Sequence, residues 1–352
     1  MIHIGLVGAG NISQTHADAA AQIEGARVVA VCGRSRDRAE RLAARSGAAA
    51  YDDLGRFLDH RPMDLVVIGS PSGLHAAQGI AAAQHGLHVL TEKPIDTSTA
   101  HADRLIAEAA AAGVTLGVIF QDRMKPDITR LKALIDAGRL GTPILASASV
   151  RWHRPLDYYT GSAWRGTQAL DGGGALINQG VHTVDLLLWL FGPVRRVFGK
   201  VTTRLHAIEV EDTAVATLEF ASGAIGTIEA ATSAYPGYPR QLALTGSEGT
   251  VKLDGDRLAA IDLRRPLSGD RVSEVNAVSV AASSPVVSDV SAHRAVFEDF
   301  IAAIAHHGQP SCDGAQGRAS VAVIEAIYRS STTDRPVDLT TMRLPDWSQR
   351  KP

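Results

Sequence analysis

Ile2-His3-Ile4-Gly5-Leu6-Val7-Gly8-Ala9-Gly10-Asn11-Ile12-Ser13 is the stretch whose reading decides the fold. Residues 2 to 7 form a short apolar run, the pattern of a buried strand, and the run breaks at glycine. A periodic segment from Ile12 to Ile23 follows, with helical spacing. Strand, glycine turn and helix in that order form the context in which a glycine fingerprint holds a dinucleotide. Gly8 suits the tight turn. Gly10 lets a pyrophosphate approach the backbone, where Asn11 and Ile12 open a helix whose free N–H groups suit an anion. The third position is Ser13 rather than glycine, still small enough for close helix–strand packing.

The next strand, Arg27 to Val31, ends in Cys32-Gly33-Arg34-Ser35-Arg36-Asp37-Arg38. An NAD site expects an acid about 20 positions past the glycine loop, where it accepts from the ribose hydroxyls. Here Arg34, Ser35 and Arg38 stand instead, and guanidinium groups welcome a 2′-phosphate. NAD or NADP is therefore expected, with NADP favoured. The alternatives are that Arg34 and Arg38 are solvated residues at a helix start, or that Asp37 supplies the acceptor.

Further along, strand and helix alternate. Asp64 to Gly69, Leu87 to Thr91 and Thr115 to Phe120 read as strands; Ser72 to His85 and Thr99 to Ala112 read as helices. That alternation predicts an α/β Rossmann domain, a doubly wound parallel sheet whose ligands lie beyond the carboxyl ends of the strands. Three such ends carry marked residues: Ser70-Pro71 with His75, Glu92-Lys93-Pro94, and Gln121-Asp122-Arg123. Lys93 is held in a restricted turn by the proline after it, and the Lys93–Pro94 bond is a candidate for the cis form. Against this stands the reading of Lys93 as an exposed loop lysine.

After Arg123 the pattern changes. A helix from Asp127 to Ala137 ends in Gly138 and Gly141, which suit a hinge, and the segment Ile144 to Trp152 follows. From Val194 the strands follow one another directly, with short turns at Ala221-Ser222-Gly223 and Gly246-Ser247-Glu248-Gly249. A C-terminal α+β domain with a large open, mostly antiparallel sheet is expected. The predicted domains are residues 1–123 and 124–352; residues 264–290 are polar and irregular, and helices at Ala292 to His306 and Ala315 to Ser330 close the chain. Inside the second domain, Asp171 to Trp189 reads as one helix opened by Gly172-Gly173-Gly174. Asn178, His182 and Asp185 then fall on one face of an otherwise apolar helix. Such a stripe is either a satisfied polar network in the core or the wall of a catalytic site.

With 352 residues the chain exceeds one ordinary core, so two domains are expected. A formal charge of -2 argues against a nucleic-acid partner. The opening lacks the basic region and long apolar core of a signal peptide, and no window has the length of a membrane span. A cytoplasmic protein is expected. Cys32 and Cys312 form neither a disulfide framework nor a metal site, and the histidines lack ligand spacing, so no metal is expected.

Taken together, these motifs resemble the Gfo/Idh/MocA oxidoreductases, the glucose–fructose oxidoreductase and inositol dehydrogenase family. The resemblance rests on the glycine loop with His16 after it, Ser70-Pro71 with His75, Glu92-Lys93-Pro94, and Arg123 with Pro126. It continues through Gly172-Gly173-Gly174 leading to His182 and Asp185, the turn 246–250, and the closing helix from Phe297 to Ile304. The stretch from Tyr158-Tyr159 through Trp164-Arg165-Gly166-Thr167 to His182 looks most like members that act on sugars and nucleotide sugars.

The resemblance implies an NAD(P)-dependent oxidoreductase that moves a hydride between nicotinamide and a secondary alcohol of a sugar. Lys93, Asn178 and His182 would be the catalytic residues. Lys93 would lie between the nicotinamide ribose and the reacting hydroxyl, and His182 would accept the proton. Asn178 replaces the family's commoner aspartate; an amide can orient a hydroxyl but cannot take its proton. Asp185 could fix the imidazole tautomer. The implied cofactor contacts are Gly8, Gly10, Asn11, Ile12, Arg34, Ser35, Arg38, Ser70, Pro71, His75, Glu92, Lys93, Gln121, Trp164 and Arg165. The implied substrate contacts are Lys93, Arg123, Tyr159, Asn178, Gln179 and His182. A homodimer or homotetramer through the C-terminal sheet is also implied. Two alternatives remain open: a glycoside-cleaving enzyme that oxidises a ring carbon transiently, and a non-catalytic sugar or nucleotide sensor.

Overall fold

The computed structural model describes residues 1–265 and 289–339; most of the polar stretch 264–290 lies outside them. The chain divides into two compact units. The first is Met1–Gln121 with the described part of Val286–Arg318, and the second is the described part of Asp122–Pro285 and Ala319–Pro352.

The first unit is built on a six-stranded parallel sheet. Its strands are β1 (Ile2–Val7), β2 (Ala26–Cys32), β3 (Ala49–Tyr51), β4 (Leu65–Ile68), β5 (His88–Glu92) and β6 (Leu116–Ile119), in the order β3-β2-β1-β4-β5-β6. Between them run α1 (Asn11–Ala20), α2 (Arg36–Ala44), α3 (Leu54–Leu58), α4 (His75–Gln84) and α5 (Thr99–Ala112). The sequences of β4 and β6 are apolar throughout and wholly buried, as a strand covered on both faces must be. Strand order reverses between β1 and β4, and the crevice past the carboxyl ends at such a reversal is where ligands bind. Helix α5 shows how local chemistry sets an element's ends. The Ser98 hydroxyl accepts from the His101 N–H, and Gly113 closes the helix in the left-handed region at φ 66°.

Sequence periodicity places the closing helices with the second domain. The described residues of Val286–Arg318, which include α9 (Ser291–Ala305), instead pack with the first unit. The reason is a glycine in β6: a Cβ at Gly117 would stand 2.7 Å from the Phe300 ring, so only glycine lets that ring lie against the strand.

The second unit is built on an eight-stranded sheet, β13-β12-β11-β7-β10-β9-β8-β14. Its strands are β7 (Pro143–Arg151), β8 (Val194–Thr202), β9 (Thr213–Phe220), β10 (Ile225–Ala231), β11 (Gln241–Gly246), β12 (Gly249–Asp254), β13 (Arg257–Leu263) and β14 (Val337–Asp338). All pairs are antiparallel except β7 with β10. The helices α6 (Pro126–Asp136), α7 (Leu156–Thr160), α8 (Val181–Phe191) and the later part of α10 (Gly314–Thr333) belong to it. The buried sheet face carries small residues, Ala146, Ala148, Ala214, Ala216 and Ala230, so helices can approach closely. The other face exposes Leu145, Phe198, Val215 and Ile225. The fold class expected from the sequence is present in both units.

Asp171 to Trp189 is not one helix. It opens as a π-helical turn, Ala175–Gly180, and α8 begins only at Val181. Glu211 meets the start of this turn: its buried carboxylate accepts from the N–H groups of Gly174 at 2.9 Å and Leu176 at 2.8 Å. The Glu211 carbonyl accepts from Ala175 at 3.0 Å. These bonds satisfy groups that a helix start leaves open. A Cβ at Gly174 would lie 2.0 Å from the Glu211 carbonyl oxygen, so the third glycine is there for another backbone. No helix among the described residues is long and apolar enough to cross a membrane.

Candidate active site

In the first unit the glycine loop has the form its sequence predicts. Gly8 sits at φ 108°, and a Cβ there would meet the Gly69 carbonyl oxygen at 2.6 Å. Gly10 is different: a Cβ would meet no atom within 4 Å. Among the described residues none crowds that position, and the open space above the backbone fits a ligand that comes close to it. Gly10 precedes the first turn of α1, where Asn11 and Ile12 present helix N–H groups. The Ser13 side chain is fully buried beside Gly69, which is the packing role expected of the third position. At the end of β2, Gly33 packs against Ala9 of the loop. Arg34, Ser35, Asp37 and Arg38 are exposed, and among the described residues neither Arg34 nor Arg38 has an acidic partner. These residues fit a nicotinamide dinucleotide.

Lys93 follows the last residue of β5, and the Lys93–Pro94 bond is cis. Beneath it Glu92 is buried, with Oε1 2.9 Å from His16 Nε2 and 3.9 Å from His293 Nε2. Its other oxygen accepts from the Lys93 backbone N–H at 3.2 Å. Burial works to raise the Glu92 carboxyl. The hydrogen bond from His16 and the charges of His16, His293 and Lys93 overcome that and hold it at about 2. The three side chains come from α1, β5 and α9, and their ligand-type atoms lie within 4.8 Å of one another. Sequence inspection finds His16 and Glu92 but not His293, which the fold of the returning segment delivers.

His75, an expected cofactor contact, is buried. Its Nδ1 lies 2.8 Å from the Pro94 carbonyl and its Nε2 2.9 Å from the Ser70 carbonyl. It braces the Ser70-Pro71 turn against the Lys93-Pro94 turn. The Ser70 hydroxyl donates to Gln78 Oε1 at 2.6 Å, and Gln121 opens a short 3₁₀ turn directly after β6.

In the second unit the expected stripe of Asn178, His182 and Asp185 is divided among three partners. The Asn178 amide donates to Asp171. His182, at the start of α8 with its side chain 12% exposed, turns Nδ1 to within 3.6 Å of Asp122 Oδ2. Asp185 is not a partner of that imidazole: it is fully buried against Arg123, which forks onto it at 2.8 and 2.5 Å. Burial pushes the Asp185 carboxyl up against the pull of that guanidinium. The π-helical turn separates Asn178 from the α-helical register of the other two, which is why a single-face reading does not survive.

Asp122 itself is buried and accepts from Arg240 Nη1 at 2.5 Å, with Lys125 Nζ also at 2.5 Å. Both cations also pair with Asp256. Burial would raise the Asp122 carboxyl, yet Arg240, then His182 and Lys125, hold it well below the usual carboxylate range. Sequence reasoning missed this cluster, because Arg240 and Asp256 lie more than a hundred residues from Asp122 in the chain.

The remaining expected contacts differ in access. Tyr159 is buried and donates to the Thr232 hydroxyl at 2.9 Å, and burial pushes its phenol up to about 12. Arg123 is likewise buried, forked onto Asp185. Gln179 accepts from Arg154 at 2.9 Å and donates to Tyr158 Oη at 2.8 Å. The Arg165 guanidinium stacks 4.2 Å above the Tyr158 ring, beside the half-buried Trp164. Arg165 has no acidic partner among the described residues.

Residues 2–120 match the oxidoreductase family with an NAD-binding Rossmann fold, and residues 128–252 match the GFO/IDH/MocA C-terminal domain. The chain is 33% identical to the WlbA dehydrogenase of Bordetella pertussis, solved with NADH and UDP-GlcNAcA; the likeness has a TM-score of 0.87 and covers 96% of this chain and 98% of that one. The chain belongs to the Gfo/Idh/MocA oxidoreductase family. Among curated Gfo/Idh/MocA-like relatives, the inositol 2-dehydrogenase 4 of Saccharopolyspora erythraea is 30% identical, over 72% of this chain and 74% of the relative. The D-apiose dehydrogenase of Paraburkholderia graminis is 27% identical, over 96% and 89%. As a Gfo/Idh/MocA protein with a nucleotide loop of this form, the chain is a nicotinamide-dependent oxidoreductase.

Proposed function

We propose that this Gfo/Idh/MocA enzyme moves a hydride between nicotinamide C4 and a secondary carbinol of a sugar or sugar derivative. The observation that carries the reading is the glycine loop, where the Gly10 backbone is open at a helix N-terminus and so lets a pyrophosphate approach closely. The nicotinamide, when bound, supplies the redox step. The chain's own work is orientation and proton transfer. His182 accepts the hydroxyl proton, since an imidazole exchanges protons near neutral pH. Asn178 orients the hydroxyl through its amide, and Lys93 polarises the oxygen as negative charge develops there.

Relatives named as inositol and apiose dehydrogenases favour net oxidation over the glycoside-cleaving alternative. Within the sugars, a nucleotide sugar carrying a carboxylate is the first class to try. The WlbA dehydrogenase was solved with UDP-GlcNAcA, and the half-buried Arg165 suits an anionic substituent. Exposed Arg34 and Arg38 at the end of β2 support NADP over NAD. We also read the enzyme as cytoplasmic. The apolar outer face of the sheet, with Leu145, Phe198, Val215 and Ile225, is read as the face that joins copies into a dimer or tetramer, which light scattering measures.

Lys93→Met and His182→Ala should each lower turnover by roughly 10²–10⁴-fold while nicotinamide affinity stays within a few-fold. Turnover unchanged in either variant overturns the assignment. In the same assay, Arg34→Ala should lower kcat/KM for NADP about tenfold relative to NAD, the effect of losing one charge-assisted phosphate contact. Equal loss with both cofactors would remove the NADP preference.

A further inference from the structure

The geometry points to Asp122 as the positioning residue of His182: a carboxylate fixed behind Nδ1 that leaves Nε2 as the atom that receives the substrate proton. The inference rests on the reading of His182 as proton acceptor. Its ground is the way Asp122 is held. One oxygen of the buried carboxylate meets Lys125 Nζ at 2.5 Å. The other meets Arg240 Nη1 at 2.5 Å and stands 3.6 Å from His182 Nδ1. Asp256 closes the cluster by pairing with both cations, and Arg240 Nε donates to the Gly255 carbonyl at 3.1 Å. Two cations, themselves held by a second carboxylate, thus pin Asp122 in place.

A carboxylate set so favours the proton on the facing imidazole nitrogen and stabilises the imidazolium that forms when the distal nitrogen accepts. At 3.6 Å the contact is an ion-pair distance, which a small rotation of the ring would close to a hydrogen bond as charge develops.

The carboxylates on the neighbouring elements have partners of their own: on α6, Asp127 accepts from the Leu258 N–H at 2.9 Å. On α8 itself, Asp185 is taken by Arg123. The π-helical turn contributes the neutral Asn178 and Gln179, with Asp171 held by Asn178. Strand β7 buries only Ala146, Ala148 and Val150, and on α6 Lys132 pairs with Asp136 and lies over Trp189. Asp122 thus faces the imidazole at Nδ1, with Lys125, Arg240 and Asp256 arrayed around that carboxylate.

Two variants of the full-length enzyme should act in opposite directions. Asp122→Asn removes the negative charge and leaves Arg240 and Lys125, so the imidazole holds its proton less tightly. The acidic limb of the kcat/KM profile for alcohol oxidation should then move about one pH unit lower. Lys125→Met leaves a net negative cluster and should move that limb higher. ¹⁵N-histidine NMR of the wild type, with His182→Gln to assign the signal, should find the neutral ring protonated on Nδ1. The two variants should shift that signal's titration in the same opposite senses. A neutral ring protonated on Nε2, or shifts of the same sign or none in the two variants, would overturn the inference. Because the NMR titration needs no turnover, it separates this failure from failure of the proposed reaction. Should Asp122→Asn not fold, Lys125→Met and the wild-type tautomer still decide the matter.

Discussion

Glu92 in the first unit and Asp122 in the second are buried to nearly the same degree, 7% and 6% exposed, yet their counter-charges differ in kind. Glu92 is held by imidazoles, His16 and His293, which are themselves sealed from solvent at 0% and 1% exposure. Asp122 is held by a guanidinium and an ammonium, groups that stay charged at any ordinary pH, and its cluster reaches water through Lys125 and Asp256. The contrast shows two uses of one buried group. A sealed carboxylate with titratable partners ties together three separate elements, so its loss falls on stability. A carboxylate clamped by permanent cations keeps a constant charge, so its effect falls on whatever titratable group it faces, here His182.

The contrast breaks first on Glu92. Replacing it by Gln leaves two buried imidazoles without their anion, and breaking a buried pair in this way costs about 3 kcal/mol. Urea unfolding at neutral pH measures that loss, and a variant as stable as the wild type would contradict it. The pH dependence has a definite sign. The folded carboxyl is depressed to about 2 from an ordinary 4.5. Its contribution is therefore fully present above pH 4.5 and is lost as pH falls toward 2. Glu92→Gln should flatten the stability curve across that window. Asp256→Asn sharpens the other side of the comparison with a smaller effect. Its side chain is 35% exposed, so water screens the pair, and the cost should be roughly 1 kcal/mol or less. A loss equal to that of Glu92→Gln would mean the second cluster is as sealed as the first.

Much of the first unit was legible in the chain because its signals are local. Apolar runs of strand length, a glycine turn, and alternation with helices are each written within about ten residues, and together they predict a doubly wound sheet. Helix α5 has the bounds expected of it, since Ser98 and Gly113 mark both ends. The candidate residues Lys93, Asn178 and His182 were also legible, through the motifs around them. Their partners were not. His293, Arg240 and Asp256 carry no local mark that separates them from surface residues, and only the folded chain makes them partners of Glu92 and Asp122.

The π-helical turn is the sharpest case. Gly172 to Trp189 has a helical pattern, but the chain winds as a π-helical turn over Ala175–Gly180, and the distant Glu211 takes the N–H groups of Gly174 and Leu176. By itself the sequence determined what depends on neighbours along the chain: the strand–helix order, the nucleotide loop and the residue types available for proton transfer. The tertiary structure alone decided which carboxylate faces His182, why Asp185 does not, and which unit takes up α9. Pairings among buried charges depend on distances between residues far apart in the chain, and no periodicity records those distances.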